Sequence, residues 1–327
     1  MRDNTVCAVV VTYNRKNLLL ECLEAIRKQT RPVDAIYIID NASADGTPEV
    51  LKENGYILEL PPFNLSEPYE IEHKIGNLVD GNPINVFYVR MHENTGSAGG
   101  FYEGVKRGYE RGYDWLWLMD DDGLPEKDCL NNLFNCISKF NVKIIAPMVI
   151  SENLEDKFRF IASDVNGKKY ENYKCKELKL RFPEFFPYGM SLFHGLLLSY
   201  EVIKQIGFPK KELFIWGEEY DLLYRAKRFY LCGTCTKAIF IHPLSKIKYV
   251  KCVFGNVPLL SDERLYYLIR NKVYLFKKHF SMKEALWFAI KQCIKFFFFS
   301  IKVCDIQKFG LVMKAVFHGI TERWHKF

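Results

Sequence analysis

Several signals that would settle the class of this chain at once are missing. No basic segment followed by a short apolar core and small residues stands at its start, so a secretory leader is not expected and the protein should stay in the cytoplasm. No second CxxC or Cys/His pair accompanies Cys232-Gly-Thr-Cys235, so a complete zinc-ligand set is absent by spacing. The ten cysteines are instead scattered through apolar segments such as Val6-Cys7-Ala8 and Gln292-Cys293-Ile294, where reduced, buried thiols are expected. There is no internal repeat and no low-complexity tract beyond residues 296–299. A net charge of +7 fits an anionic partner, but no helix-turn-helix, zinc or RNA-binding signature accompanies it. Nucleic acid is therefore not expected, leaving a phospholipid surface or a pyrophosphate-bearing substrate.

What is present is a long chain with a large core to bury: 327 residues, 49% of them hydrophobic. Its N-terminal half alternates strand-like segments (6–13, 35–40, 85–90, 115–119, 143–149) with helix-like ones (16–29, 48–53, 100–111, 126–140), the pattern of a parallel sheet with crossover helices. Residues 55–83 contain Pro61, Pro62, Pro68 and Pro83 and read as an irregular insertion, a flap. Residues 151–179 give weak signals and no element is assigned to them. Residues 190–242 read as strand, helix, acidic loop, helix and strand, and the chain is helical from 261 onward. The expected organisation is an α/β domain over 1–255 and a basic, aromatic helical tail over 256–327.

The strand Trp115-Leu-Trp-Leu-Met ends in Asp120-Asp121-Asp122, carboxylates at the C-terminal end of a strand, where open α/β sheets place ligands. Hard oxygen ligands there suit Mg²⁺ or Mn²⁺ bound together with the oxygens of a diphosphate. The competing interpretation is a solvated acidic turn before a helix.

The runs Val9-Val-Val-Thr-Tyr-Asn14-Arg15 and Ile38-Ile-Asp40-Asn41-Ala-Ser43-Ala-Asp45-Gly46-Thr47 resemble the opening of the inverting family 2 glycosyltransferases. Further runs, Asn94-Thr-Gly96-Ser-Ala-Gly99-Gly100-Phe101 and Phe214-Ile-Trp216-Gly-Glu218-Glu219-Tyr-Asp221, are similar to the galactofuranosyltransferases and rhamnosyltransferases of that family. The resemblance implies a GT-A fold, a Rossmann-like, mostly parallel sheet with flanking helices, followed here by the C-terminal helical extension. It implies that Thr12 and Asp40 contact the nucleoside, that Asp45 fixes the adjoining loop, and that Arg90, Asn94, Gly99, Gly100, Asp120, Asp121 and Trp216 belong to the donor site. Asp120, Asp122 and His242 are then the metal ligands. Closely spaced glycines ahead of a helix also let backbone N–H groups approach a pyrophosphate.

Inverting transfer needs one carboxylate to accept the proton of the acceptor hydroxyl, and something to stabilise the departing diphosphate. By resemblance the base is Glu219. Glu stands where the family usually has Asp, and Gly217 intervenes after the Trp, so Glu218 stays open as the alternative. Arg270, in Glu263-Arg264-Leu-Tyr266-Tyr267-Leu-Ile-Arg270-Asn271, is either a phosphate contact or an exposed helix arginine.

In the tail, Glu284, Lys291, Lys295, Lys302 and Asp305 share one stripe of a helix whose remaining surface is apolar and aromatic. That charged stripe argues against a spanning helix. It favours either a helix lying in a membrane interface or one packed on the catalytic domain or a sister subunit. The expected protein is a metal-assisted transferase of galactofuranose from its UDP donor, with rhamnose from a dTDP donor as the alternative. The acceptor is a cell-surface glycan or its lipid-linked precursor, met at the inner face of the cell membrane. A catalytically silent glycan- or sugar-nucleotide-binding protein of the same fold is the alternative from another class.

Overall fold

The computed structural model describes residues 4–151, 154–156, 173–187, 189–243, 247–252 and 254–327. Most of the segment 151–179, to which no element was assigned, lies outside the described residues.

The chain runs β1 (Val6–Thr12), α1 (Lys16–Arg27), β2 (Ala35–Asp40), α2 (Thr47–Glu53), β3 (Tyr69–Gly76), β4 (Pro83–Arg90), α3 (Gly96–Glu110) and β5 (Trp115–Asp120). It continues through β6 (Leu124–Pro125), α4 (Cys129–Phe140), β7 (Ile144–Ile150), α5 (Cys175–Arg181), β8 (Phe185–Phe186), β9 (His194–Ser199) and α6 (Tyr200–Ile206). Then come α7 (Glu218–Ala226), β10 (Cys232–Ile241), β11 (Tyr249–Cys252), β12 (Gly255–Pro258), α8 (Asp262–His279), α9 (Met282–Lys302) and α10 (Ile306–Thr321).

One sheet is ordered β3-β4-β2-β1-β5-β9-β7-β10-β6, with β8 also on β10. β4, β2, β1 and β5 pair in parallel, β9 runs against both β5 and β7, and β10 is parallel to β7. The fully apolar strands are buried on both faces, as a parallel sheet between helices requires: all seven residues of β1 and all six of β2 are buried. α3 approaches this sheet on a glycine face. A Cβ at Gly100 would lie 2.5 Å from Val11, and one at Gly104 or Gly108 would collide with Val9 or Leu116.

The proline-rich insertion is not irregular throughout. It contains β3, an edge strand antiparallel to β4. Its prolines flank the strand, with Pro68 just before it and Pro83 opening β4, so they leave the ladder intact. The polar residues of β3 are used: Glu70 accepts from Arg107 of α3 and from Arg111 just after its end, at 2.8 and 2.6 Å.

The chain divides into two compact units, 1–95 with 100–208 and 225–244, and 96–99 with 209–224 and 245–327. The expected boundary at 255/256 falls within the β11–β12 hairpin, whose strands pair with each other. In the second unit α8, α9 and α10 pack around a core that includes Tyr266, Val273, Phe296, Phe299 and Val312.

Candidate active site

In the first unit the loops after β1 and β2 are stitched together. Asn14 donates its backbone N–H to Ser43 Oγ and accepts from Ala44, while Asp45 accepts from the N–H of Lys16 at the start of α1 and from the Thr47 hydroxyl. Asp45 therefore ties this loop to the start of α1. Asp40 is wholly buried. Its carboxylate accepts from the Tyr88 hydroxyl at 2.7 Å, from Arg90 Nη1 at 2.6 Å and from the backbone of Ser43 at 2.8 Å. Thr12 is buried too and donates its hydroxyl to Asp121 Oδ2 at 2.7 Å. Both residues expected to touch the nucleoside thus turn inward, because their polar atoms sit at the sheet's edge with protein partners already in reach. Arg90, oriented by Asp40 and donating also to Ser43 O at 2.8 Å, is the more open group at this edge.

The three aspartates have three different surroundings. Asp120 ends β5, half-exposed. Asp121 is buried, and burial pushes its carboxyl up to about 6, with Thr12 and Arg15 pulling the other way. Asp122 meets Arg15 Nη1 at 2.6 Å and His242 Nε2 at 3.2 Å. Burial would raise Asp122, but His242, Arg15 and His194 outweigh it and hold the carboxyl at about 2. Among the described residues no group of three His, Cys, Asp or Glu is gathered in metal-binding fashion.

The Asp122–His242 pair nonetheless has the chemistry of a cation site. His242 Nδ1 lies 2.8 Å from the Pro243 carbonyl, an acceptor, so Nδ1 carries a hydrogen, and Nε2 is turned to Asp122. Asp122 Oδ1 is buried and accepts no hydrogen bond. Nε2 and Oδ1, 3.2 Å apart, are both able to face one cation, either a proton on the imidazole or a metal ion. His194 stands edge-on to His242, 4.3 Å between ring centroids. Arg15, though part of the quoted motif, was given no site role from sequence, and nothing in the pattern around His194 marks it.

The glycine-rich segment is not a turn ahead of a helix, since α3 begins at Gly96. Asn94 precedes it, half-buried, and Gly99 and Gly100 are buried within its first turns. Gly100 is required by the close approach to β1 described above.

In the second unit a strained turn delivers the other acidic pair. Phe214 and Trp216 have φ of 65° and 59°, and Gly217 has φ of 140°, a conformation that side chains other than glycine rarely adopt. Asn271 Nδ2 holds the turn by donating to the carbonyls of Leu213, Ile215 and Trp216 at 2.8, 2.8 and 2.9 Å. Arg270 donates to the carbonyls of Glu212 and Leu213 and to Asn271 Oδ1. Arg270 is therefore neither a phosphate contact nor an exposed helix arginine. It is 1% exposed, and its five donors suit it to clamping carbonyls. Trp216 lies half-buried with the Arg264 guanidinium 5.9 Å from its ring centroid.

Glu218 and Glu219 open α7 from this turn. Glu218 is buried, with Oε1 accepting from the Ser97 hydroxyl and Oε2 without a hydrogen-bond partner. Burial, then the neighbouring Glu219, push its carboxyl well up. Glu219 keeps part of its surface open and accepts from the Gly217 N–H at 2.8 Å; burial raises it as well. A carboxylate whose proton affinity is raised is better suited to general base work than an ordinary one.

Residues 7–57 and 66–207, more than half of the chain, match Glycosyl transferase family 2, and the chain belongs to that family. It is a glycosyltransferase of the GT-A fold. Galactofuranosyltransferase GlfT1 of Mycolicibacterium smegmatis is 29% identical over 278 residues, 83% of this chain and 82% of the relative. The dTDP-rhamnosyl transferase RfbF of Shigella flexneri is 22% identical over 202 residues, 59% of this chain and 64% of the relative. The crystal structure of S. aureus TarS with UDP-GlcNAc has a TM-score of 0.56, covering 98% of this chain and 82% of that one at 14% identity, which is a likeness of fold.

Proposed function

We propose that this glycosyltransferase transfers galactofuranose from UDP-galactofuranose, with inversion, to a cell-surface polysaccharide or its lipid-linked precursor at the inner face of the cell membrane. The observation that carries the donor is the 29% identity to a galactofuranosyltransferase across 83% of the chain. The shorter match to a dTDP-rhamnosyl transferase supports rhamnose as the second reading.

The roles follow from the surroundings of each group. Arg90, steadied by Asp40, and the stitched loop at Asp45 receive the nucleotide, together with Asn94. Asp122 and His242, with Asp120 at the same strand end, hold Mn²⁺ or Mg²⁺. Such an ion neutralises the charge of a leaving diphosphate. Arg15 supplies a further cation beside it. Glu219 accepts the proton of the acceptor hydroxyl. Glu218, more deeply buried and with the stronger upward push, is the less accessible of the two for that role.

The test is to present UDP-galactofuranose, UDP-galactopyranose and dTDP-rhamnose to the purified protein with Mn²⁺ or with chelator, and to follow release of the nucleoside diphosphate. Metal-dependent turnover confined to UDP-galactofuranose is expected. Preference for dTDP-rhamnose would transfer the assignment to the second reading, and binding of a donor without any turnover would favour a silent binder.

A further inference from the structure

The outer face of α9 and α10 is not covered by the rest of their unit. α9 turns Ala285, Ala289, Phe296, Phe299 and Ser300 inward. On the opposite side Leu286, Ile290, Ile294, Phe297 and Ile301 follow one another at helical spacing, each between 41% and 57% exposed. Trp287 shares this side and is 56% exposed. α10 adds Ile306, Met313 and Phe317, also exposed. Contacts between Phe297 and Phe309 (ring centroids 5.6 Å) and between Cys293 and Met313 (3.4 Å) join the two helices' outer faces into one surface. A contiguous exposed apolar face of this kind marks an interaction surface.

The charges choose among occupants. Lys283 lies within the apolar arc of α9, Lys291 borders it, and Lys314 borders the arc of α10, all three exposed. None of them makes an ion pair among the described residues. Lys291 Nζ stands 4.7 Å from the Trp287 ring, the tryptophan-and-lysine pairing suited to the boundary between hydrocarbon and headgroups. A second copy docked on this face would bring like charges into a dry contact. An anionic lipid surface supplies hydrocarbon for the apolar arc and counter-charge for the lysines at one depth. Among the described residues no helix is long and apolar enough to cross a membrane.

We infer that α9 and α10 together form a membrane-binding face that lies in the plane of an anionic lipid surface. The inference is independent of the donor sugar.

The test uses the full chain with phosphatidylcholine vesicles, with and without phosphatidylglycerol. Binding at least tenfold tighter to the anionic vesicles and weakened by salt is expected. Lys283→Gln with Lys291→Gln should weaken it more than tenfold, at about fivefold per lysine. Ile290→Ser with Phe297→Ser should abolish vesicle binding while leaving UDP binding and the melting temperature unchanged. In the unmodified chain, brominated lipid should quench a tryptophan signal that Trp287→Phe removes, which reads the contact even where a serine variant misfolds. Equal or absent binding to both vesicle types would overturn the inference. So would a dimer in solution that Ile290→Ser with Phe297→Ser converts to monomer, since the face would then belong to a second copy.

Discussion

Asp120, Asp121 and Asp122 are one run in sequence and three different groups in the fold. Asp121, with its carboxyl pushed up to about 6 by burial in the folded protein against 3.8 for an unburied aspartate, binds a proton more tightly in the folded state. The stability it contributes is complete below pH ~3.8 and is lost as pH rises through about 6. Asp121→Asn should therefore flatten the fall in stability between pH 4 and 6, an effect of roughly 2–3 kcal/mol, read from urea unfolding across that range. Glu219 and Glu218 are separated by exposure, not by charge. Glu219→Gln should lower the transfer rate about 10²–10⁴-fold with donor affinity unchanged, whereas Glu218→Gln should cost much less. Steady-state kinetics alongside calorimetry would check this, and the reverse order would make Glu218 the base. The sequence marked both acidic clusters and His242, because carboxylates at strand ends and helix starts leave a pattern. It did not separate the three aspartates, since a run of identical residues holds no information about which one a distant Arg15 or His242 will face.

Among the elements, the turn before α7 depends most on a partner far away in sequence. Two non-glycine residues at positive φ are held by carbonyl contacts from Arg270 and Asn271, more than fifty residues later. Asn271→Ala should reduce stability by roughly 2–4 kcal/mol, given about 1 kcal/mol or more for each unmet buried carbonyl. It should also lower the transfer rate at least tenfold, with nucleotide affinity in the first unit unaffected. Thermal melts and the transfer assay would show both effects, and a variant of full activity would mean that the turn holds without its clamp. The apolar strands were legible from their composition, because burial on both faces demands continuous hydrophobic runs. β3 was not, since an edge strand that pairs its glutamates with arginines at the end of α3 reads as polar loop. The glycines of α3 were visible but ambiguous: a helix pressed against a sheet and an anion-binding turn both require residues without side chains.

For the whole molecule, the excess of positive charge falls in two places that composition cannot separate. Arg15 and Arg90 sit beside carboxylates in the first unit, and Lys283, Lys291 and Lys314 stand exposed in the second. The helical character of the C-terminal region was evident from periodicity. Its division into inward, apolar outward and polar faces was not, because three faces on one helix blur into a wide apolar one. The proposed metal site of Asp122 and His242 would give this glycosyltransferase its hold on a nucleoside diphosphate sugar. The most direct measurement is a calorimetric titration of UDP-galactofuranose into the protein and into Asp122→Asn, each with Mn²⁺ and with chelator. Binding that Mn²⁺ strengthens in the unmodified protein, with that gain reduced about 10–100-fold in Asp122→Asn, is predicted. Donor binding indifferent to Mn²⁺ and to the substitution would contradict it.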